Sequence, residues 1–268
     1  MQQDYSNRLR LLALALLPEG NGGKARDILE AIQTAGIELR DLAKLSFRDR
    51  KRLLGLPEKL LFSLDRFPDA LENARRINQK LSRTGDFWID PEHRCYPSRL
   101  ENFCGRSAPF ILFCRGNPEL LNKEMFVAVV GTRSPSEQGR RAAKNAAREI
   151  SARNLVVISG GARGIDSEAH LGAMQNGSSI AVLPGGLDSS ERVNQLFRSS
   201  SPEQYLMISE FFPGAKPRKS SPVQRNRTVA ALSDCLLVVE TGKKGGSLHT
   251  VRFCMDFRRH IFMVLRFH

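Results

Sequence analysis

The stretch Val127-Ala-Val-Val-Gly-Thr-Arg133 joins four apolar residues to a glycine and an arginine. A similar unit follows at Leu155-Val-Val-Ile-Ser-Gly-Gly161, and a third at Ser179-Ile-Ala-Val-Leu-Pro-Gly-Gly186. The stretches between these units are long enough for helices. Short apolar runs that alternate with helices are typical of a parallel sheet covered on both faces. We therefore predict an α/β fold built on a parallel sheet.

The rest of the chain divides around these strands. Three more apolar runs occupy residues 205–208, 235–239 and 261–264. Residues 1–86 show apolar spacing of three and four, which predicts a small helical domain. Residues 87–122 are expected to be a connecting segment with one short strand at 110–114. Residues 123–268 then form the sheet domain.

The turn Gly20–Gly23 is predicted to join the first two helices. Two interpretations stay open: a helix–hairpin–helix turn whose N–H groups approach a phosphate, or a plain turn between packed helices.

Charge and cysteine content limit the function classes. The 41 basic and 28 acidic residues give a net charge of +13, which favours a polyanionic partner. Five cysteines without a CxxC pair argue against a disulfide framework and against a zinc site. We expect a reducing, cytoplasmic location. The apolar run at 11–17 is too short and interrupted for a signal peptide or a membrane span, so no membrane partner is expected.

Three glycine turns follow three strands, and two of them carry an arginine. Glycine lets the backbone approach a ligand, and a following helix N-terminus favours an anion. A single such turn is also what any tight turn needs, whereas three in register predict a phosphate-bearing ligand. The dinucleotide fingerprint G-x-G-x-x-G is absent after the first strand, which disfavours an NAD enzyme. The candidate residues here are Gly131, Thr132, Arg133, Ser159, Gly160, Gly161 and Arg163.

A second candidate surface is basic. Residues 211–227 contain five cations and no carboxylate, which predicts a phosphate-binding patch; the alternative is a solvated loop. We expect the cations of Arg225-Asn226-Arg227 at a helix start, where the helix dipole disfavours positive charge, so a ligand or a carboxylate partner is expected. After another strand, Lys243 and Gly246 bring a cation and backbone N–H groups to a strand end, and Ser247 is expected to cap the next helix. The candidate residues here are Lys219, Arg225, Asn226, Arg227, Lys243, Gly246 and Ser247.

The sequence shows few residues in arrangements that could catalyse a reaction. His170 and His249 are isolated in the sequence, no serine or cysteine has an evident base, and Asp166 is expected to be an ordinary dipole partner. We expect a binding protein without a catalytic residue, a metal or a cofactor.

Several strings together resemble the DNA-processing protein A (DprA or Smf) family: Val129-Val-Gly-Thr-Arg-Ser-Pro-Ser, Ser159-Gly-Gly-Ala-Arg-Gly-Ile-Asp, Gln224-Arg-Asn-Arg-Thr-Val-Ala-Ala-Leu-Ser, Gly246-Ser-Leu-His-Thr, Tyr96-Pro-Ser-Arg-Leu and Arg115-Gly-Asn. The resemblance implies an extended Rossmann-like fold with a small SAM-like helical domain. It also implies single-stranded DNA binding, a homodimer, and loading of RecA recombinase in natural transformation. Arg133 and Lys219 match the family's DNA-binding cations, and backbone at Ser159, Gly160 and Gly161 is implied to line the pocket.

Two departures from the family pattern matter. Pro222 stands where the family often has an aromatic residue that stacks on a base, and the segment after Leu187 lacks the usual Tyr-Pro pair. The alternative function is a LOG-type nucleotide phosphoribohydrolase, echoed by Pro184-Gly-Gly and Glu191, or a nucleotide-sensing relative.

An apolar set near the C-terminus predicts self-association if one sheet does not cover all of it; the alternative is that the whole set is core and the chain is monomeric. Its members are Leu248, Val251, Phe253, Cys254, Phe257, Ile261 and Phe262.

Overall fold

A computed structural model describes residues 2–18, 20–242 and 245–264. Its centre is an eight-stranded sheet in the order β1-β2-β6-β5-β4-β3-β7-β8. The strands are β1 (Phe87–Ile89), β2 (Leu112–Gly116), β3 (Phe126–Val130), β4 (Val156–Gly160), β5 (Ser179–Leu183), β6 (Tyr205–Ser209), β7 (Cys235–Val238) and β8 (His260–Met263).

Six strands, β3 to β8, run parallel, and β1 and β2 are antiparallel additions at one side. Every residue of β3, β4 and β5 is buried, which is why these strands appear in the sequence as continuous apolar runs. The predicted α/β class with a mainly parallel sheet is confirmed.

The helices cover both faces of the sheet. They are α1 (Gln2–Leu16), α2 (Gly23–Thr34), α3 (Phe47–Leu54), α4 (Glu58–Ser63), α5 (Phe67–Thr84), α6 (Ser98–Cys104), α7 (Glu137–Ala152), α8 (Ile165–Asn176), α9 (Glu191–Arg198), α10 (Ser221–Leu232) and α11 (Ser247–Asp256). None of the helices in the described ranges is long and apolar enough to cross a membrane.

Alternate residues of β3 separate the two faces. Val127 and Val129 pack with α7 and α8, whereas Ala128 and Val130 pack with α6, α10 and α11. The N-terminal helices extend the α7 side of the sheet, because their apolar side chains share one core with Ala181 of β5 and with α9. The molecule therefore has three layers, with the sheet in the middle.

Residues 87–122 are more closely integrated than a connecting segment. They supply two sheet strands, where the sequence predicted one, because β1 pairs with β2 and β2 pairs with β6.

The Gly20–Gly23 turn lies against this segment. The Asn21 amide oxygen accepts from the backbone N–H groups of Phe110 and Ile111, both at 2.9 Å. A Cβ on Gly23 would lie 2.8 Å from the Arg106 carbonyl oxygen. The packing favours the plain turn over a phosphate-binding hairpin.

The order of the strands creates a switch point. The chain moves from β3 through β4 and β5 to β6 in one direction, then returns through α10 to β7 on the other side of β3. In open parallel sheets a crevice forms beyond the carboxyl ends of the strands at such a point, and ligands bind there.

Candidate nucleic-acid interface

A cavity of about 580 Å³ lies at this switch point, beyond the carboxyl ends of β3 and β7. Four chain segments form its walls: the turn after β3, the turn from β4 into α8, the start of α10, and the turn that leads into α11. The lining residues are Val130, Gly131, Thr132, Arg133, Ala162, Asp166, Lys219, Pro222, Val223, Arg225, Asn226, Gly245, Gly246, Ser247, His249 and Thr250.

Two helix N-termini open into this cavity. Neither α10 nor α11 has an acidic residue in its first turn, and among the described residues no side chain caps either one. The positive end of the helix dipole makes such ends favourable for an anion. The chain therefore leaves two positive helix ends facing one cavity.

The neighbouring helices α7 and α8 are different. The Ser136 hydroxyl caps α7, and the Glu240 carboxylate accepts from the Ser136 backbone N–H at 3.1 Å. Helix α8 carries Asp166 and Glu168 in its first turn. Because the chain supplies its own carboxylates there, an external phosphate has no comparable place at these two ends, and the usual pyrophosphate position after the first strand is filled.

Arg225 forms the floor of the cavity. Its guanidinium is buried and lies 3.5 Å from the Asp166 carboxylate, while its Nε atom has no hydrogen-bond partner among the described residues. Burial lowers the pKa of Arg225 and raises the pKa of Asp166. A buried cation with one long contact is incompletely compensated, so an anionic ligand would complete its hydrogen bonding.

Gly160 makes room for this arginine. A Cβ at Gly160 would lie 1.1 Å from the Arg225 NH1 atom, so any side chain there would displace the guanidinium. The glycine is required by the close approach of an arginine rather than by its own backbone angles.

The rim adds two exposed cations. Arg133 and Lys219 line the cavity from opposite walls, and neither forms an ion pair with another described residue. The positive charge of Arg133 also lowers the pKa of Arg225, so the two guanidinium groups repel one another electrostatically. Among the described lining residues, three cations against the single carboxylate of Asp166 give a net charge of +2.

The structure brings eight of the fourteen predicted residues to the cavity wall, and these are Gly131, Thr132, Arg133, Lys219, Arg225, Asn226, Gly246 and Ser247. Lys243 lies outside the described residues.

The β4 turn supports the cavity from behind. The Ser159 hydroxyl donates to the Val129 carbonyl oxygen at 2.6 Å, and Gly161 packs against Leu183 and Val193. Ser159, Gly160 and Gly161 do not line the cavity. Arg163 is exposed beside it, because the following Gly164 packs on the backbone of Thr132 and Arg133.

Arg227 does not face the cavity. It lies 3.3 Å from the buried Glu210 carboxylate, which also accepts from the Gln224 amide at 2.7 Å. Helix α10 begins at Ser221, so the Arg225-Asn226-Arg227 string lies in its second turn rather than at its start. Both arginines have a carboxylate partner, as the sequence predicted: Asp166 for Arg225 and Glu210 for Arg227. The two arginine side chains point in different directions.

Ser247 is not the cap that the sequence suggested. Helix α11 starts at this residue, and its hydroxyl bonds to the Thr241 hydroxyl at 2.5 Å. The Asn226 amide donates to the Gly246 carbonyl oxygen at 3.1 Å, which fixes the α11 turn against α10.

Eight lining residues were not predicted as site residues, and two of these, Asp166 and His249, have titratable side chains. Asp166 was interpreted as a dipole partner, but it is buried against Arg225. His249 was isolated in the sequence, but it lines the cavity one turn after Gly246. A spacing of three residues after a glycine turn was the available signal for His249.

The model of the family described as DNA recombination-mediator protein A matches residues 87–266. This chain belongs to that family. It is 37% identical over 172 residues to DNA processing protein DprA of Streptococcus pneumoniae, covering 63% of this chain and 60% of the relative. It is 32% identical over 158 residues to DprA of Bacillus subtilis, covering 58% and 53%. The chain thus spans a little over half the length of these two relatives.

Solved structures agree with this assignment. The X-ray structure of DprA from Streptococcus pneumoniae superposes with a TM-score of 0.72 and 27% identity, covering 96% of this chain and 86% of that one. A DprA structure from Helicobacter pylori, described for its single-stranded DNA binding mode, gives a TM-score of 0.57 and 26% identity, covering 66% and 80%.

Two of the sequence motifs that resemble the DprA family, Arg115-Gly-Asn and Tyr96-Pro-Ser-Arg-Leu, have structural roles in this chain. The Arg115 guanidinium donates two hydrogen bonds of 2.7 Å to the Asp86 carboxylate and also contacts Asp188. Together these contacts join the end of α5 to the loop after β5. Arg99 holds Asp234 at 2.6 Å, just before β7. These DprA-like residues fix the loops at both ends of the sheet rather than the cavity itself.

The candidate catalytic residues named in the sequence analysis have the following surroundings in the structure. His170 is fully buried between the Ser179 hydroxyl at 2.7 Å and the Gly160 carbonyl oxygen at 3.0 Å, and burial lowers its pKa to about 4. All five cysteines are free thiols. No cluster of potential metal ligands occurs in the part of the chain that the structure describes.

Proposed function

We propose that this DprA-family chain binds single-stranded DNA through its backbone in the cavity and acts in DNA processing without catalysing a reaction. The observation that carries the proposal is the convergence of two acid-free helix N-termini on a cavity that also holds Arg133, Lys219 and Arg225. Backbone N–H groups and cations are the groups that bind phosphates.

The eight cavity-lining residues described above are proposed to contact the strand. We propose that Ser159, Gly160 and Gly161 act indirectly, by shaping the floor of the cavity without contacting the strand. Arg163 is proposed as a rim cation, Lys243 as a further DNA-binding residue, and Arg227 acts indirectly through the position of α10.

A single strand suits this site better than a duplex. The floor is recessed below the rim cations, and a flexible backbone can enter where a stiff duplex cannot. The single-stranded DNA binding mode of the related DprA from Helicobacter pylori supports the same choice.

A homodimer, RecA loading and a role in natural transformation belong to the same proposal. The homodimer is supported by Met255, Phe262, Met263 and Val264, which are exposed on α11 and the edge strand β8. RecA loading and transformation are supported by family membership.

The nucleotide-enzyme alternative has less support. Among the described lining residues the single carboxylate, Asp166, is engaged by Arg225, and the N-terminus of α7 is filled by Glu240. A general base for hydrolysis would need a free carboxylate or histidine near the ligand. His249 is the described lining residue that meets this requirement, so the base-release assay below tests the alternative.

The test is a fluorescence anisotropy comparison of a single-stranded oligonucleotide with a duplex of equal length at physiological salt, with nucleoside monophosphate incubated separately. The proposal expects tighter binding of the single strand and no released base. Equal binding of the duplex, or release of base, would contradict it.

A further inference from the structure

A second recess lies at the carboxyl end of β6, about three strands from the cavity. Its volume is about 390 Å³, and Phe212 forms part of its wall together with Asn21, Asn73 and Gln224. The N-terminal helices supply its other side through residues 15–17. This recess is called the Phe212 groove below.

Phe212 is unusual among the aromatic side chains of this region because 47% of it is exposed. Its backbone is held in place. The Phe212 carbonyl oxygen accepts from the Ala215 N–H at 3.0 Å, and the Ala215 carbonyl oxygen accepts from the Gly186 N–H at 2.9 Å. An exposed aromatic ring on a fixed turn is a platform suited to stacking.

Residues 212–219 connect this groove directly to the cavity. The segment begins at Phe212 in the groove and ends at Lys219 on the cavity wall. Between them, Lys216 and Arg218 are exposed, and no described carboxylate pairs with either side chain or with Lys219.

Elsewhere the chain pairs many of its exposed cations. On α5, Arg75 and Arg76 both contact Glu72, and on α7, Arg141 contacts Glu137. The three cations of residues 216–219 are left for a ligand with repeated negative charge.

We propose that a bound single strand continues from the cavity along residues 216–219 and stacks a base on Phe212. The proposal rests on the proposed function and extends the same site. Pro222 offers no aromatic face inside the cavity, so Phe212 supplies the stacking surface at the other end of the track.

The distances fit this track. Strands β3 and β6 are separated by β4 and β5, so their ends lie three strand spacings apart, about 14 Å. A stacked strand rises about 3.4 Å per nucleotide, so roughly four nucleotides separate the cavity from Phe212.

The experiment compares Phe212→Ala with wild type on oligothymidines of four and twelve nucleotides, by fluorescence anisotropy. We expect the variant to bind the 12-mer roughly five- to a hundredfold more weakly, the range for loss of one stacked base, and to bind the 4-mer like wild type. Phe212→Trp should restore the 12-mer affinity. Phe62→Ala, which removes another exposed aromatic ring in α4, is the matched control and should change neither.

The outcomes separate the two proposals. If wild type binds neither oligonucleotide, the proposed function and the track both fail. If wild type binds the 12-mer through Arg133 and Phe212→Ala binds it equally well, the cavity stands and the track is wrong. Equal weakening on both lengths, or by the Phe62 control, would also overturn the track. A thermal melt of each variant checks that the fold is retained.

Discussion

Gly160 and Arg225 depend on one another at the floor of the cavity. The guanidinium occupies the space that any other side chain at position 160 would fill, and it leaves one N–H without a partner among the described residues. The chain thus places an incompletely compensated cation under the proposed phosphate position.

Gly160→Ala tests this arrangement. The added methyl group should push the Arg225 guanidinium off the floor, weaken binding of single-stranded DNA at least tenfold, and cost about 1–3 kcal/mol in the free energy of unfolding. Gly242→Ala is the matched control, because no atom of the described residues lies within 4 Å of its Cβ position and the glycine has no positive φ. Binding by Gly160→Ala at wild-type strength would contradict the role given to Arg225. Urea unfolding and anisotropy measure the two effects.

His170 predicts a pH effect on stability. Burial lowers its pKa to about 4 from the ordinary 6.5, so the unfolded chain binds a proton that the folded chain does not. This contribution to stability is complete above pH 6.5 and is lost as the pH falls toward 4, by on the order of 3 kcal/mol. Burial raises the pKa values of Asp166 and Glu210, which acts in the opposite direction, so wild type must be compared with a variant.

His170→Gln is that variant. Its free energy of unfolding should fall less steeply than that of wild type between pH 6.5 and 4, measured by urea unfolding at a series of pH values. Parallel curves for the two proteins would show that His170 does not stay neutral in the fold.

At the scale of elements, the five helices that follow the parallel strands β3 to β7 divide into two kinds. Helices α7, α8 and α9 begin with carboxylates of the chain, whereas α10 and α11 begin with none. The positive ends of α10 and α11 are therefore available to a ligand.

A carboxylate introduced into the first turn separates helix stability from binding. Val223→Glu should favour α10 through the helix dipole, by about 0.3–1 kcal/mol, yet weaken DNA binding at least tenfold because Val223 lines the cavity. Gln138→Glu makes a matched change in the first turn of α7 and should leave binding unchanged. Equal binding by both variants would show that the α10 end does not meet the phosphate. Thermal melts and anisotropy supply the measurements.

Sequence patterns predicted the parallel strands, because β3, β4 and β5 are buried on both faces and must be apolar throughout. They did not predict β1, which has three residues and is held only by pairing with β2, far along the chain. The sequence identified the cations of α10, but it did not predict the directions in which their side chains point. Those directions depend on where the helix begins, and a shift of two residues, about 200° of rotation, decides whether Arg225 or Arg227 meets the cavity.

At the scale of the whole molecule, the exposed apolar side chains are concentrated near the end of the described chain. Phe262, Met263 and Val264 are 56%, 52% and 44% exposed, and strand β8 is the free edge of the parallel part of the sheet. By contrast, Phe257 is half-buried and lies 5.5 Å from Phe103 between ring centroids. The proposed self-association surface is therefore the outer side of β8 rather than Phe257.

Phe262→Glu should convert a dimer to a monomer at micromolar concentration, because it places a charge in the apolar patch. Phe62→Glu, equally exposed in the N-terminal helices, should leave the oligomeric state unchanged. Sedimentation velocity provides the measurement. A monomeric wild type, or a dimer that tolerates Phe262→Glu, would remove β8 as the interface.

The central claim is that the switch-point cavity holds the phosphates of a single strand, and the salt dependence of binding tests it most directly. Dissociation constants for one oligonucleotide should be measured against salt concentration for wild type, Arg133→Ala, Lys219→Ala and the exposed control Arg83→Ala. We predict weaker binding by the first two variants, each with a salt slope lower by about 0.7–1, since each loses one phosphate contact, and an unchanged slope for the control. Folded Arg133→Ala and Lys219→Ala proteins with the affinity and slope of wild type would contradict the account.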